Sequence, residues 1–445
     1  MHAIDASIPV LPGGLPLVGH LPAIKRDRLA FLERVQSLGP AVVARLGPRC
    51  PVFVVDPEIL QTVLVERAYD FHKSSNYGFL ERLLGKGLVT SEDDLHKRQR
   101  RLTAPSFTPA RIAAYANTMV EVAKRRIGAW RDGETIDLGA ELHRLTLDIA
   151  CRTLFSTDVG PRVLAIGQAF VEASRWVVDE SVSFLHWPYH WPVPRHRRMQ
   201  RSMATLHAAV EAIIAERHAS QQDAGDILSA LMGARDESGA GMTDEQLRDE
   251  VITFLFAGHE TSANALVWAL VLLSQNAEAR SRLVEEVDQC LGGRQPATSD
   301  LPKLAYPLRV FKETLRLYPP AYVFGRTAVR DVPCGKHTVF AGQNVVVNVW
   351  ALHRRPDIYD EPERFLPDRF LPDCERALPR HAFLPFAAGP RVCVGNHFAM
   401  IEGQLVLALL AQQVSVELAA DRVGLEPVIT LRAASPLAAR IRRRA

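Results

Sequence analysis

One cysteine, Cys393, lies in a setting suited to chemistry: the stretch FAAGPRVCVGNHF, which runs from Phe386 to Phe398. An arginine precedes this cysteine by two positions, and an apolar segment typical of a helix follows it. The N–H groups at a helix start and a nearby cation both stabilise a thiolate. Gly389 and Gly395 would permit a tight turn and the close approach of a flat partner. The stretch therefore predicts a thiolate loop that holds a planar group with anionic edges.

The residues around Cys393 leave three interpretations open. The first is a buried structural cysteine. The second is half of a zinc site with His397, four residues later, although the sequence has no second pair at the spacing of zinc ligands. The third is a single axial thiolate ligand to haem iron.

The segment AGHET, at positions 257–261, offers groups for proton transfer. Ala257 and Gly258 are small enough to leave a notch in a helix. Glu260 and Thr261 follow within one turn and provide a carboxylate and a hydroxyl. One interpretation is close helix packing, with the threonine hydroxyl bonded to an upstream carbonyl. The other is a notch for a ligand beside a proton-transfer pair, and the residues alone leave both open.

The third motif is the pair Glu313 and Arg316, which stand three residues apart. The segment between Pro307 and the prolines at 319–320 is predicted to be a helix. The spacing puts both side chains on one face. A surface ion pair, which contributes about 0–1 kcal/mol, is the simplest interpretation.

The elements that must position these residues are mostly helical. Apolar residues recur at three- and four-residue spacing from about 92 to 230. The longest periodic segment, about 243–275, begins with a capping-box pattern at Thr243 and Gln246. Short strands are predicted in AVVARLG, PVFVVD, HTVF, GQNVVVNVW and VGLEPVITLRA. We expect one domain over 1–445, with a proline-rich surface segment at about 1–25.

Composition excludes several classes of protein. None of the six cysteines forms a CxxC pair, which argues against a disulfide framework and favours a reducing cytoplasm. The net charge of +3 is too small to indicate nucleic-acid binding. No apolar run is long enough to span a membrane, and the N-terminus lacks the pattern of a signal peptide.

The motifs together resemble one family. FAAGPRVCVG matches FxxGxRxCxG, the haem-binding signature of the cytochrome P-450 superfamily, and the loop spans 386–395. AGHET, ETLR at 313–316 and PDRF at 367–370 stand in the order typical of that family. The chain is thus identified as a member over nearly its whole length. This implies a mainly α fold with a smaller β part, in a single haem-containing domain.

The resemblance also assigns roles. Cys393 becomes the axial ligand of haem b, and Glu313, Arg316 and Arg369 match a buried triad, with Arg364 as a competitor for the third place. Asp368 stands where the family more often has glutamate, and His96 stands where it often has tryptophan. The residues implied to contact the cofactor are His96, Arg100, Ala257, Gly258, Arg326, Phe386, Arg391 and Gly395.

The implied reaction inserts one oxygen atom of O2 into a C–H or C=C bond, with Thr261 and Glu260 as the catalytic pair that delivers protons. The sequence contains no dinucleotide or flavin motif. Electrons are therefore expected from an external ferredoxin and ferredoxin reductase. The basic side chains expected to dock the ferredoxin are Lys97, Arg98, Arg101 and Arg391, although a merely solvated basic face is the alternative.

The implied substrate is an apolar small molecule, because the family's pocket positions are mainly apolar here. The layout is similar to bacterial terpene-oxidising members, which points to secondary metabolism. A peroxide-dependent peroxygenase and a haem-binding sensor or carrier without turnover are the alternatives. The predicted pocket residues are Tyr77, Phe79, Leu84, Val89, Phe254, Ala257, Tyr322, Val323, Phe324 and Ala434, with Leu80, Leu88 and Ala433 beside them.

Overall fold

The computed structural model describes residues 4–158, 160–183, 187–220, 223–236 and 239–444. The first three residues of the proline-rich segment predicted at 1–25 lie outside these ranges. The α-helices within them are α1 (Leu21–Arg26), α2 (Arg28–Gln36), α3 (Pro57–Gln61), α4 (Tyr77–Leu84), α5 (Asp93–Thr103), α6 (Pro109–Gly128), α7 (Leu138–Leu154), α8 (Val163–Ser181), α9 (Pro194–Ser220), α10 (Ile227–Gly233), α11 (Asp244–Gln275), α12 (Ala277–Leu291), α13 (Ala305–Leu317), α14 (Val349–Leu352), α15 (Pro372–Ala377) and α16 (Asn396–Gln413).

The strands are short and form small sheets. They are β1 (Ala41–Val43), β2 (Val52–Val54), β3 (Phe71–Lys73), β4 (Thr135–Asp137), β5 (Phe324–Ala328), β6 (Val332–Cys334), β7 (His337–Val339), β8 (Asn344–Val347), β9 (Val414–Leu418), β10 (Leu425–Pro427), β11 (Leu431–Ala433) and β12 (Ala438–Arg443). The largest sheet has five strands in the order β1-β2-β8-β5-β3, in which only the β2–β8 pair is parallel. The predicted fold class, mainly α with a smaller β part, is confirmed.

Two predicted strands differ from the structure for local reasons. The segment VGLEPVITLRA folds back on itself as the β10–β11 hairpin, because the N–H of Val428 bonds to the carbonyls of Glu426 and Thr430 and closes a turn. The strand predicted in GQNVVVNVW ends at Val347. Asn348 then caps α14, since its side chain accepts a hydrogen bond from the N–H of Ala351.

Helix α11 runs through the core. Its start has the predicted capping box, in which Thr243 and Gln246 each bond to the backbone of the other. At 1.5 Å per residue, its 32 residues give a length of about 48 Å. Most of its side chains are buried, and it packs along α7. The AGHET segment therefore lies in the middle of a helix surrounded by protein.

Helix α16, which follows the cysteine loop, packs against α6 and α13. The contact with α13 depends on Gly403, because a Cβ atom there would lie 2.4 Å from the ring of Phe311. The close approach connects the helix after Cys393 with the helix that carries Glu313 and Arg316.

Gly403→Ala should therefore destabilise the haem-loaded protein by about 1–3 kcal/mol, as overpacking does in other cores. Chemical or thermal unfolding measures the change. Gly128→Ala, at the exposed end of α6 where nothing lies within 4 Å of the new Cβ, is the matched control. We expect that control to be neutral or slightly stabilising. Equal stability of the two variants would contradict the packing argument.

No helix in the described ranges combines the length and the hydropathy of a membrane-spanning segment.

Candidate active site

A cavity of about 330 Å³ brings α11 and the cysteine loop together. Ala257, Gly258 and Thr261 line it from α11, and Phe386, Cys393 and Gly395 line it from the loop. Apolar side chains make up most of the remaining wall. The AGHET segment and the cysteine loop therefore line the same cavity, although Gly258 and Arg391 are 133 positions apart in the sequence.

The cysteine loop is held by a glycine and a backbone hydrogen bond. Gly389 has a φ of +72°, and a Cβ atom there would lie 1.8 Å from the carbonyl oxygen of Leu64, so only glycine fits. The N–H of Cys393 donates to the carbonyl of Phe386 at 3.0 Å. Gly395 differs, because its φ of −91° is open to any residue. The tight turn therefore depends on Gly389 rather than on both glycines.

The thiol of Cys393 is accessible, and it opens into the cavity. Burial of the loop raises the pKa of this thiol, while the N–H of Gly395 and the guanidinium of Arg100 act in the opposite direction. The protein thus supplies two interactions that favour a thiolate. A metal cation at the sulfur would supply the remaining stabilisation.

A cluster of basic side chains lines the same cavity. Arg100 and Arg391 donate hydrogen bonds to the carbonyls of Val392 and Phe71, at 2.9 and 2.8 Å. Glu92 pairs with Arg391. Together the basic residues of the wall are Lys73, His96, Arg100, Arg326 and Arg391, which we call the basic cluster.

The pKa values within the basic cluster are lowered by burial and by neighbouring positive charge. Burial lowers the pKa of His96 to about 4, and the four neighbouring cations add to the effect. Burial also lowers the pKa of Lys73 to about 7, although Glu92 opposes the shift. An anionic ligand would offset this charge, as the propionates of haem do. With a cysteine thiol facing a largely apolar space, the residues present fit a haem group.

Lys73 is a member of this cluster that the sequence analysis missed. It lies on β3, where its backbone pairs in register with Arg326 of β5. The register of β3 with β5 places Lys73 beside Arg326 and so indicates its role. That register is not visible in the sequence alone.

Glu313, Arg316 and Arg369 meet in the core. Arg316 binds both carboxylate oxygens of Glu313, at 2.7 and 2.8 Å, and both side chains are fully buried. Arg369 donates to the same carboxylate at 3.3 Å. Arg364 does not take this place, because its side chain pairs with the exposed Glu361. The pair is therefore a buried bridge rather than a surface one.

The buried bridge reaches the cysteine loop through His353, which the sequence analysis missed. Arg316 donates to the carbonyl of His353 at 2.8 Å, and Nδ1 of that ring donates to the carbonyl of Arg316 at 3.1 Å. Nε2 of His353 accepts the N–H of Leu384 at 2.9 Å. Leu384 stands two residues before Phe386. The fully buried imidazole thus connects the triad to the start of the loop.

Glu313→Ala should destabilise the protein by about 3–5 kcal/mol, because it leaves the guanidinium of Arg316 buried without its partner. We expect poorly folded protein with little haem, measured by haem content and by unfolding. Glu361→Ala, which removes the exposed pair with Arg364, is the control and should leave stability nearly unchanged. A stable, haem-replete Glu313→Ala variant would contradict the structural role of the bridge.

Thr261 and Glu260 lie on different sides of α11. The hydroxyl of Thr261 donates to the carbonyl of Ala257 at 2.7 Å, and its side chain lines the cavity. Glu260 is buried and does not line the cavity. Only Thr261 faces the cavity, since consecutive residues of a helix point about 100° apart, and the joint role of Thr261 and Glu260 in proton delivery stays a prediction.

A separate network holds Glu260. Its Oε1 accepts hydrogen bonds from Arg432 at 2.6 Å, Thr430 at 2.7 Å and Asn264 at 3.1 Å. Burial raises the pKa of this carboxyl, but Arg432, with His143 and His259, outweighs burial and holds the pKa well below its usual range. Glu260 is therefore ionised and fixed against β11.

Gly258 serves both interpretations that its sequence left open. A Cβ atom there would contact Leu154 at 3.4 Å and Ala150 at 3.8 Å, both on α7, so the glycine permits close packing. It also lines the cavity.

Half of the predicted pocket residues line the cavity: Tyr77, Val89, Phe254, Ala257 and Phe324. The other five predicted residues do not line it. Leu84 is fully buried in the core, the hydroxyl of Tyr322 donates to the carbonyl of Val428, and Ala434 is exposed after β11. Phe79 and Val323 pack against core residues elsewhere. Wall residues that the sequence analysis missed include Phe107, Leu154, Ala265, Phe311, Ala321 and Phe398.

Comparisons with known proteins extend over this whole architecture. The family model described as cytochrome P-450 matches residues 9–431. Cyclooctatin synthase of Streptomyces melanosporofaciens is 40% identical over 410 residues, which are 90% of this chain and 88% of that protein. Pentalenene oxygenase of Streptomyces avermitilis is 35% identical over 416 residues, 92% of each chain. The crystal structure of the cytochrome P-450DA haem domain matches with a TM-score of 0.88 at 26% identity, covering 100% of this chain and 99% of that one.

Proposed function

The chain belongs to the cytochrome P-450 family and is a haem-thiolate monooxygenase, as its sequence predicted, and we propose that it oxygenates an apolar terpenoid. The observation that supports this most directly is the cavity that Cys393, Thr261 and the basic cluster border together. Its remaining wall is mainly apolar, which suits a hydrocarbon-rich substrate. Relatives that carry the names cyclooctatin synthase and pentalenene oxygenase support the terpenoid class.

We propose that the cofactor is haem b, with Cys393 as the axial ligand and the basic cluster on the propionates. When bound, thiolate-ligated haem supplies the activation of O2. Phe386 and Gly395 would then lie against the cofactor on the side of the loop, and Ala257 and Gly258 would lie against it on the side of α11. The absence of a disulfide among the six cysteines suits a reducing cytoplasm.

Thr261 and Glu260 of α11 have different roles in proton delivery. The hydroxyl of Thr261 donates to the Ala257 carbonyl, so its oxygen can still accept a hydrogen bond from a water in the cavity. It would hold that water where a proton is needed. Glu260 does not touch the cavity, and we assign it as a positioning residue that anchors α11 to β11 through Arg432.

We propose that an external ferredoxin and its reductase supply the electrons. A depression on the far side of the basic cluster is lined by Tyr69, Lys97, Arg101 and Arg391, and its charge suits an acidic partner. Arg98 is not part of it, contrary to expectation, because its guanidinium pairs with Asp236 at 2.7 Å and with backbone carbonyls.

Lys97→Glu should raise the ferredoxin concentration required for half-maximal turnover by about three- to tenfold, because it reverses a charge at the rim of the docking surface. The dependence of the rate on ionic strength should weaken at the same time. Lys124→Glu, which reverses an exposed charge on α6, is the control. An equal response of both variants would place the docking surface elsewhere.

The substrate class is tested with haem-loaded protein, a surrogate ferredoxin and reductase, NADH and isotopically labelled O2. The probes are a sesquiterpene hydrocarbon, a diterpene hydrocarbon and a fatty acid of matched carbon number. We expect one labelled oxygen atom in a terpene product and little product from the acid. Preferential oxygenation of the acid would overturn the terpenoid proposal. Equal product from hydrogen peroxide alone would favour a peroxygenase, and no product under any condition would favour a sensor or carrier.

A further inference from the structure

Three side chains with metal-binding atoms meet outside the cavity, where α7 packs along α11. His143 comes from α7, while His259 and Glu260 are consecutive on α11. Nδ1 of His143 lies 3.3 Å from Nε2 of His259 and 3.9 Å from Oε2 of Glu260. One donor atom from each residue lies within 4.8 Å of the others.

One of these atoms lacks a partner. Oε2 of Glu260 accepts no hydrogen bond from the described residues, although the side chain is only 1% exposed. A buried carboxylate oxygen without a partner is costly, and such an atom indicates a bound water or ion. The other oxygen is held by Arg432, Thr430 and Asn264, which fixes the orientation of the carboxylate. Oε2 is thereby presented to the two imidazoles.

The imidazoles are also oriented for ligation. Nδ1 of His259 interacts with the carbonyl of Leu255 one turn earlier, although it makes no hydrogen bond of good geometry. This leaves Nε2 directed at His143. Metal-bound histidines commonly use one ring nitrogen for the metal and the other for a carbonyl or carboxylate. Phe170 lies beside His259 and limits its rotation.

We propose that His143, His259 and Glu260 bind one divalent transition metal ion, with Zn²⁺ as the best match. Two imidazoles and one carboxylate are a zinc ligand set, whereas Mg²⁺ and Ca²⁺ prefer oxygen ligands alone. Tetrahedral zinc with bonds of about 2.0–2.1 Å places its donor atoms about 3.3–3.4 Å apart. The two histidine nitrogens, which share a hydrogen bond at 3.3 Å, already stand at this separation, and an ion would replace that hydrogen bond. Oε2 of Glu260 would have to approach Nδ1 of His143 by roughly half an ångström and approach His259 as well, and a water would complete the site.

Access and charge define the expected strength of the site. About a quarter of the His143 side chain is accessible, at 24%, so an ion can enter from that side. Arg432 lies on the opposite oxygen of the carboxylate and weakens its attraction for a dication. We therefore expect binding weaker than that of a structural zinc finger. The bound ion would join α7 to α11 and stabilise the folded chain by mass action.

The test uses the full-length, tag-free, haem-loaded protein in a Cys374→Ser background, which removes an exposed thiol. After chelator treatment, ZnCl2 is titrated by calorimetry into the parent protein and into His143→Leu and His143→Gln. His218→Leu, at an exposed histidine of α9, is the matched control. The carbon-monoxide spectrum of each protein verifies folding. The glutamine variant keeps a polar group at position 143, which separates loss of the ligand from a packing defect caused by leucine.

The parent and the His218→Leu control should bind one equivalent of zinc more than either His143 variant, or bind it at least tenfold more tightly. Zinc should raise the unfolding temperature of the first two proteins and not of the His143 variants. Equal stoichiometry and affinity in all four would overturn the proposal and assign Oε2 of Glu260 to a water. Neither readout depends on turnover, so this outcome leaves the proposed function untouched.

Discussion

Replacing Cys393 with histidine should remove the strongly red-shifted Soret band of the reduced carbon-monoxide complex and nearly all monooxygenase activity. The thiolate carries a negative charge that donates electron density to iron and favours O–O cleavage, and a neutral imidazole lacks that charge. The fold should tolerate the change, because the side chain opens into the cavity. The turn is set by Gly389 and by the backbone bond to Phe386, neither of which involves the sulfur.

The control for this prediction is the replacement of other cysteines. Cys290→Ala and Cys374→Ala change a half-buried and an exposed thiol, neither of which lines the cavity. Both should keep the band and the activity. Haem content measured on each protein separates loss of the ligand from loss of the cofactor. A Cys393→His variant that retains the band would contradict the assignment of Cys393 as the iron ligand.

The parts of the site that could be predicted from the sequence are those set by local chain geometry. The glycine-bearing turn before Cys393 and the capping box of α11 depend on residues within a few positions of each other. The Glu313–Arg316 bridge is likewise a matter of helical spacing. Its burial depends on distant segments, and that burial raises the expected cost of removing one partner from near zero to about 3–5 kcal/mol.

What could not be predicted depends on how distant segments pack. Glu260 faces Arg432 rather than the cavity because of the rotation of α11 against β11. Lys73 reaches the basic cluster through the register of β3 with β5, and Arg98 pairs with Asp236 instead of lining the depression where we propose that the ferredoxin docks. The hydroxyl of Tyr322 donates to the carbonyl of Val428 in the hairpin turn after β10, and Tyr322 does not line the cavity. None of these contacts leaves a periodic or short-range signal.

Thr261→Ala should uncouple the reaction while leaving the protein intact. The hydroxyl makes one hydrogen bond, to the carbonyl of Ala257 on its own helix, and losing a bond of this kind has a modest effect on stability. Haem content, the carbon-monoxide spectrum and substrate affinity should stay near those of the parent protein. The oxygen atom that can accept from a water in the cavity is lost, and positioned proton transfer contributes about 10²–10⁴-fold to a rate. Product formation should fall within that range.

The diagnostic quantity is the ratio of oxygenated product to NADH consumed. Electrons still arrive in Thr261→Ala, but protons come from water that is not positioned, so O2 takes up two electrons and two protons and leaves as hydrogen peroxide. The ratio should therefore drop sharply while peroxide accumulates. Thr261→Ser keeps a hydroxyl at the same position and should restore most of the coupling, which a purely steric role of the methyl group would not predict. Ser262→Ala is the second comparison: that neighbouring hydroxyl also borders the cavity but donates to the buried Glu402, so we expect the ratio to change less than in Thr261→Ala. An unchanged ratio in Thr261→Ala would make this residue a packing residue, consistent with its bond to Ala257, and would move proton delivery to another group of the cavity wall.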